Sequence, residues 1–365
     1  MSWLFAHALG RIALLRPKSL DDPEASIRKL HVAPTPRCGG IAIGAAFLLG
    51  SAVSWMLGAQ VEASLLLFLC AAPGFAGGLI EDFTKRAGVL LRLVLTAVAA
   101  ALGVALLDSR ITHVDIPGLD FLLAMPAVSF VAAVFAITGV AHATNVIDGL
   151  NGLAGFVGLL ASVALAIVAA IVGDSLVFLP ACVLAASITG FLLVNFPRGR
   201  IFLGDGGAYL IGLVLALLSV LLVRRNAEVS AWFPLLLLAY PVWETLFSMY
   251  RRKLRGRSTG RADALHLHSL VYRRVVRWRG YTGSSLDYVT RNSLASLYLW
   301  PLPAACFFFA LAFWSNSLAL QIGAACFAVV YVVAYRRVVQ LGVPRRLVVR
   351  AKTKGADVEG EPAEI

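Results

Sequence analysis

The feature that most limits what this chain can fold into is a train of apolar runs, each close to the length a helix needs to cross a bilayer. They recur at residues 40–58, 61–80, 88–107, 125–145, 150–173, 176–195, 206–223, 231–249, 292–314 and 317–335. A hydrocarbon layer about 30 Å thick takes roughly 20 helical residues, and every backbone N–H and C=O inside it must be bonded within the protein. Ten such runs in 365 residues leave little sequence for anything but helices and the loops between them. With 59% hydrophobic residues, 14% charged and a mean hydropathy of +0.83, an ordinary soluble domain is excluded. The expected fold is an all-α polytopic integral membrane protein of about ten transmembrane helices, in one domain over residues 1–338. Residues 2–15, broken by His7 and Arg11, are too short to span and are expected to form a partial or interfacial helix. Residues 339–365 turn from basic to acidic and read as a disordered cytoplasmic tail.

The net charge of +12 invites a nucleic-acid reading, but its placement argues for a membrane. Of the 32 Lys and Arg, only Arg110, Arg224 and Arg225 fall in one set of alternate loops, and Arg11 and Arg92 sit in apolar stretches. All the others flank the opposite side, which the positive-inside rule makes cytoplasmic. The five cysteines are scattered singly, with neither metal-ligand spacing nor a disulfide framework.

That topology sorts the acids. Glu81, Asp82, Asp148, Asp205 and Glu244 all abut span ends on the cytoplasmic side. A helix-capping aspartate is the ordinary explanation for any one of them, Asp205 in GDGG included. Carboxylates from four separate spans on one membrane face are harder to explain as caps. A transporter of polyprenol or lipid is the rival from another class; it would keep ionisable groups near mid-span and show related halves, and neither pattern appears. Clustered carboxylates in a basic surround suit a Mg²⁺ ion, with Mn²⁺ as the second choice, held by one or two Asp and completed by water and substrate phosphates. Arginines and histidines nearby then have a partner in a diphosphate. No P-loop pattern is present.

Five segments carry a resemblance: DDPEASIRKLHVAPTPRCGGIAIG at 21–44, GGLIEDFTKRAG at 77–88, ATNVIDGLNGLAG at 143–155, NFPRGRIFLGDGGAYLIG at 195–212 and RGRSTGRADALHLHSL at 255–270. Together, and in this order, they resemble the polyprenyl-phosphate N-acetylhexosamine-1-phosphate transferases, glycosyltransferase family 4, on the WecA-type side more than the MraY-type. The resemblance implies a reaction at the cytoplasmic face of a bacterial inner membrane. Undecaprenyl phosphate attacks the β-phosphorus of a UDP-sugar, UDP-GlcNAc first among donors and a UDP-N-acetyl-deoxyhexosamine second. UMP leaves, and a lipid-linked glycan such as an O-antigen is begun. Homodimers occur in the family.

By the same resemblance Asp205 matches the magnesium ligand. Glu81 and Asp82 stand where the family has an Asp pair acting on the acceptor phosphate, with Glu one methylene longer, and Lys85 follows in that segment. Asn145 and Asp148 match a motif lining the nucleotide-sugar site, where Asn151 replaces a frequent second Asp. Asn195 and Arg198 precede the metal aspartate, and Arg198 with Arg200 could equally be topology anchors. His266 and His268 match a phosphate-binding His-x-His. Arg28, Lys29 and His31 match an element near the polyprenyl phosphate, or serve as a positive-inside flank. Ala208 and Ser269 depart from the common residues in motifs around the donor. From pattern alone, the segment LHLHSLVYRRVVRW at 265–278 is expected to lie on lipid as an amphipathic helix, with Leu267, Leu270, Val271 and Val275 on one face. The alternation in ITHVDIPGLDFLLAMP suggests a small outer hairpin.

Overall fold

The computed structural model describes residues 2–7, 20–21, 35–59, 61–256, 265–276 and 285–340. Arg28, Lys29, His31 and the tail from residue 341 lie outside the described residues. The chain forms α1 (Gly39–Met56), α2 (Glu62–Thr84), α3 (Val89–Leu107), α4 (Pro117–Leu123), α5 (Pro126–Ile147), α6 (Leu153–Ile171), α7 (Ser175–Asn195) and α8 (Gly204–Arg225). It continues with α9 (Trp232–Leu237), α10 (Ala239–Leu254), α11 (Leu267–Leu270), α12 (Ser285–Leu299), α13 (Pro301–Ala312) and α14 (Ser317–Val339). Among the described residues nine helical stretches are long and apolar enough to cross a membrane, with α12 and α13 contributing one stretch, Val289–Ala312. The tenth apolar run, 231–249, is split into α9 and α10 at Leu238. Pro241 has no N–H to return to the carbonyl four residues back, so the helical ladder opens there. Residues 2–7 are helical, and Ser2 and Trp3 pack on α7 at Gly190.

The bundle is built round α8, whose side chains from Ala208 to Leu222 are almost all buried. Helices α1, α2, α5 and α6 surround it. At its N-terminal end three backbones nearly touch: a Cβ on Gly78 of α2 would lie 2.4 Å from the Gly206 nitrogen, and one on Gly40 of α1 would lie 2.3 Å from the Gly207 nitrogen. Small residues permit such approach where dispersion, not hydrophobic exclusion, holds helices together. Short backbone bonds fix the entry to α1 against the entry to α8: the Gly39 and Gly40 N–H groups donate to the Phe202 and Leu203 carbonyls at 2.9 Å each. Side chains such as Leu90, Phe135 and Leu193 stay exposed on the outside, where a bilayer would meet them.

Two local expectations are corrected. Residues 111–126 form no hairpin. An extended segment leads into α4, whose Asp120 carboxylate accepts from the Val114 and Ile116 N–H groups at 2.6 and 3.0 Å, while Pro117 occupies the first turn, where a missing donor costs nothing. Residues 267–275 do not lie on lipid. They form α11 and a π-helical turn, Val271–Val275, and Leu267, Leu270, Val271 and Val275 are buried against α12 and α14. Residue spacing defines an apolar face but not what covers it.

The loop arginines Arg110, Arg224 and Arg225 are met by acids. Arg225 bonds Asp174 at 2.8 Å, and Arg224 and Arg110 approach Asp108 at 3.4 and 2.6 Å. These pairs sit at the end of α8 remote from Asp205, so the loop arginines there are neutralised.

Candidate active site

At the N-terminus of α8 the backbone amides have no partners within the helix, and the dipole favours negative charge. Asp82, near the end of α2 and 1% exposed, meets that need: its Oδ1 accepts from the Asp205 N–H at 3.0 Å and its Oδ2 from the Gly206 N–H at 2.9 Å. Gly204 adopts φ +76°, and a Cβ there would strike the Asp82 carboxylate at 2.6 Å. Glycine is therefore required for both the turn and the fit. Asp148 follows the last residue of α5, and its N–H returns to the Asn145 carbonyl at 3.2 Å. Its carboxylate is reached by the Gly204 N–H. Burial first, and then the neighbouring Asp205, push the Asp148 carboxyl up to about 7, against the pull of Arg37. Asp82, Asp148 and Asp205, separated by long stretches of chain, thus meet at one helix end.

Counter-charge comes from two arginines. Arg37 stands 4.0 Å from Asp82, and Arg92 of α3 donates to Asp205 through Nη1. Arg92 is one turn into an apolar run, where a lone cation is costly unless paired, and that cost is the sequence signal that could have found it. Tyr209 lies beside the same guanidinium. His142, which no motif in the sequence marks, bridges Thr96 Oγ1 at 3.0 Å and the Tyr209 hydroxyl at 3.5 Å.

The other expected residues divide into those at this site and those that brace it. Glu81, partly exposed, is charge-coupled to Arg92, and Lys85 is exposed with a left-handed backbone (φ 55°) that ends α2. His268 reaches the Asp148 turn, since a Cβ on Gly149 would lie 2.5 Å from its Nε2. The His266 and His268 rings stack 5.4 Å apart at 5°, so their two-residue spacing does not separate them on this irregular backbone. Asn195 is a staple: its Oδ1 accepts from the Gly152 N–H at 2.6 Å and its Nδ2 donates to the Ile201 carbonyl at 2.7 Å, tying the 148–152 turn to the approach to α8. Asn151 is held by α12, its backbone N–H donating to Asn292 at 2.7 Å and its carbonyl accepting from Ser296 at 2.6 Å. Ala208 is fully buried and Ser269 nearly so. Arg198 and Arg200 are exposed.

Among the described residues no set of three His, Cys, Asp or Glu side chains is arranged to enclose a metal unaided. The donor chemistry nevertheless fits magnesium. All three acids offer hard oxygen ligands, and Mg²⁺ is commonly held by one or two carboxylates and shared with waters and substrate phosphates.

Fold and site together define a polytopic α-helical membrane protein with an acidic centre at one end of its bundle. The chain belongs to glycosyl transferase family 4, whose model matches residues 64–223, the stretch holding Asp82, Asp148 and Asp205. It is similar to the decaprenyl-phosphate N-acetylglucosaminephosphotransferase of Mycobacterium tuberculosis (strain CDC 1551 / Oshkosh), 32% identical over 297 residues, covering 73% of this chain and 70% of the relative. It is similar also to the probable undecaprenyl-phosphate N-acetylglucosaminyl 1-phosphate transferase of Bacillus subtilis (strain 168), 27% identical over 260 residues and 68% of each chain. The undecaprenyl-phosphate alpha-N-acetylglucosaminyl 1-phosphate transferase of Salmonella typhi is 25% identical over 272 residues, 73% of this chain and 72% of the relative.

Proposed function

We propose that this protein transfers N-acetylglucosamine 1-phosphate from UDP-GlcNAc to undecaprenyl phosphate, releasing UMP and starting a lipid-linked glycan at the cytoplasmic face of a bacterial inner membrane. The observation that carries the reading is the meeting of Asp82, Asp148 and Asp205 at the N-terminal amides of α8. The names of the relatives support a polyprenyl phosphate acceptor and an N-acetylglucosamine donor.

The chemistry exchanges one phosphoanhydride for another, so the protein's task is to align two anions and neutralise them. Asp205, with Asp82 or Asp148, would hold Mg²⁺, which when bound neutralises charge on the diphosphate. Asp82 occupies the first amides of α8 and so fixes where Asp205 stands. His268, against the Asp148 turn, and His266 stacked on it offer ring nitrogens to the diphosphate. Arg92 holds Asp205 in place.

The test is incubation of membranes with labelled UDP-sugars and undecaprenyl phosphate, with and without EDTA. Labelled lipid and UMP from UDP-GlcNAc, lost on chelation, are the expected products. Transfer that survives chelation would contradict the magnesium assignment, and no transfer from any UDP-sugar would contradict the reaction.

A further inference from the structure

Of the five acids at span ends, Glu244 is the buried one that the carboxylate centre does not use. It is 1% exposed in α10, and a carboxylate there is costly unless well bonded. Its Oε1 accepts from His266 at Nδ1, 3.1 Å away, and from the Leu267 N–H at 3.0 Å. Two turns further along the same helix face, Arg251 donates from Nη1 to the Leu265 carbonyl at 2.8 Å and to the Tyr335 hydroxyl of α14 at 2.5 Å. Helix α10 therefore grips residues 265–267 at two points, with the ring of His266 between them. A carboxylate on one imidazole nitrogen fixes both tautomer and ring plane, and leaves the other nitrogen to address a ligand.

We propose that Glu244 is a positioning residue for the diphosphate, acting through His266: it pins Nδ1 so that Nε2 is presented beside His268 and the Asp148 turn. The inference rests on the transferase reading above. It explains why an ionisable side chain persists in α10, where an apolar residue would pack at lower cost. It also accounts for the parallel stacking of the two histidines, because the bond to the Leu267 N–H fixes the backbone between them.

Binding of UDP, the probe diphosphate, to the full chain in detergent by titration calorimetry separates the two claims. Loss of the pinning carboxylate is expected to weaken UDP about tenfold in E244L, and by less in E244Q, which keeps an oxygen acceptor. H266Q should weaken UDP to the same degree, and E244L/H266Q should bind no worse than H266Q alone. UDP bound by E244L as tightly as by wild type, or losses that multiply in the double variant, would overturn the inference while leaving the transferase reading intact. Where E244L fails to fold, the same comparison is made with E244Q and E244Q/H266Q, and multiplying losses again overturn it. No UDP binding by the wild-type chain would overturn both.

Discussion

Asp148 shows how a single side chain can be read twice, once for stability and once for chemistry. Its carboxyl sits at about 7 in the folded protein because burial and Asp205 disfavour the charge. The folded state then keeps a proton that the unfolded chain, with an ordinary carboxylate, has released. Stability contributed by this group is present at low pH and is lost as pH rises from about 4 towards 7. Thermal melts in EDTA should show the midpoint falling over that window, and Asp148→Asn should flatten the fall. A midpoint that rises steadily to pH 7 and responds equally in both proteins would contradict the buried-acid account. In the proposed reaction a proton must leave before the carboxylate can act, so the Mg²⁺ concentration giving half-maximal UMP release should be lower at pH 8 than at pH 6.

Helices and their junctions make the next scale. Gly78 and Gly40 let α1 and α2 lie backbone to backbone on α8. Gly78→Ala should force α2 away from the Gly206 amide and cost about 1–3 kcal/mol, an overpacking penalty read as a lower melting midpoint in detergent. Unchanged melting with full activity would show that the junction yields. Asn195 ties two loops, so Asn195→Ala leaves the Gly152 N–H and Ile201 carbonyl unbonded and should cost about 1–3 kcal/mol, with activity lost in step with stability. At this scale the sequence was most legible where the bilayer sets the length: nine of the ten expected spans appear as continuous apolar stretches. It was least legible where one local break decides the outcome. The opening at Leu238 follows from Pro241, and the burial of residues 267–275 follows from α12 and α14, which no periodicity in that segment encodes. The acids at span ends were legible because charge is scarce in so apolar a chain. Arg92 carries one signal, a cation inside an apolar run, but nothing names its partner, and His142 reads as a stray polar residue until α8 brings Asp205 and Tyr209 to them. Asn151 and Asn195 lie in the right motifs, and both also tie loops together, Asn151 through its backbone N–H on Asn292 and Asn195 through its side-chain oxygen on the Gly152 N–H.

Over the whole molecule the two ends of the bundle differ in kind. One end gathers Asp82, Asp148 and Asp205 with Arg37 and Arg92; the other pairs Asp108 and Asp174 with Arg110, Arg224 and Arg225. By sequence most Lys and Arg fall in loops on the side of the carboxylate centre, and the proposed cytoplasmic placement rests on that distribution. Exposed Arg198 and Glu228 mark the two ends. In intact cells, a membrane-impermeant maleimide should modify Glu228→Cys and should reach Arg198→Cys only after permeabilisation. The reverse pattern would invert the topology.

The central claim is that the carboxylates at the head of α8 carry the transfer, and Asp205→Asn tests it most directly. Purified wild-type protein given UDP-GlcNAc, undecaprenyl phosphate and Mg²⁺ should release UMP, and the Asp205→Asn protein, inserted and melting as a folded bundle, should release at least about a hundredfold less, as expected when a group stabilising transition-state charge is removed. UMP release by that variant at the wild-type rate would contradict the account.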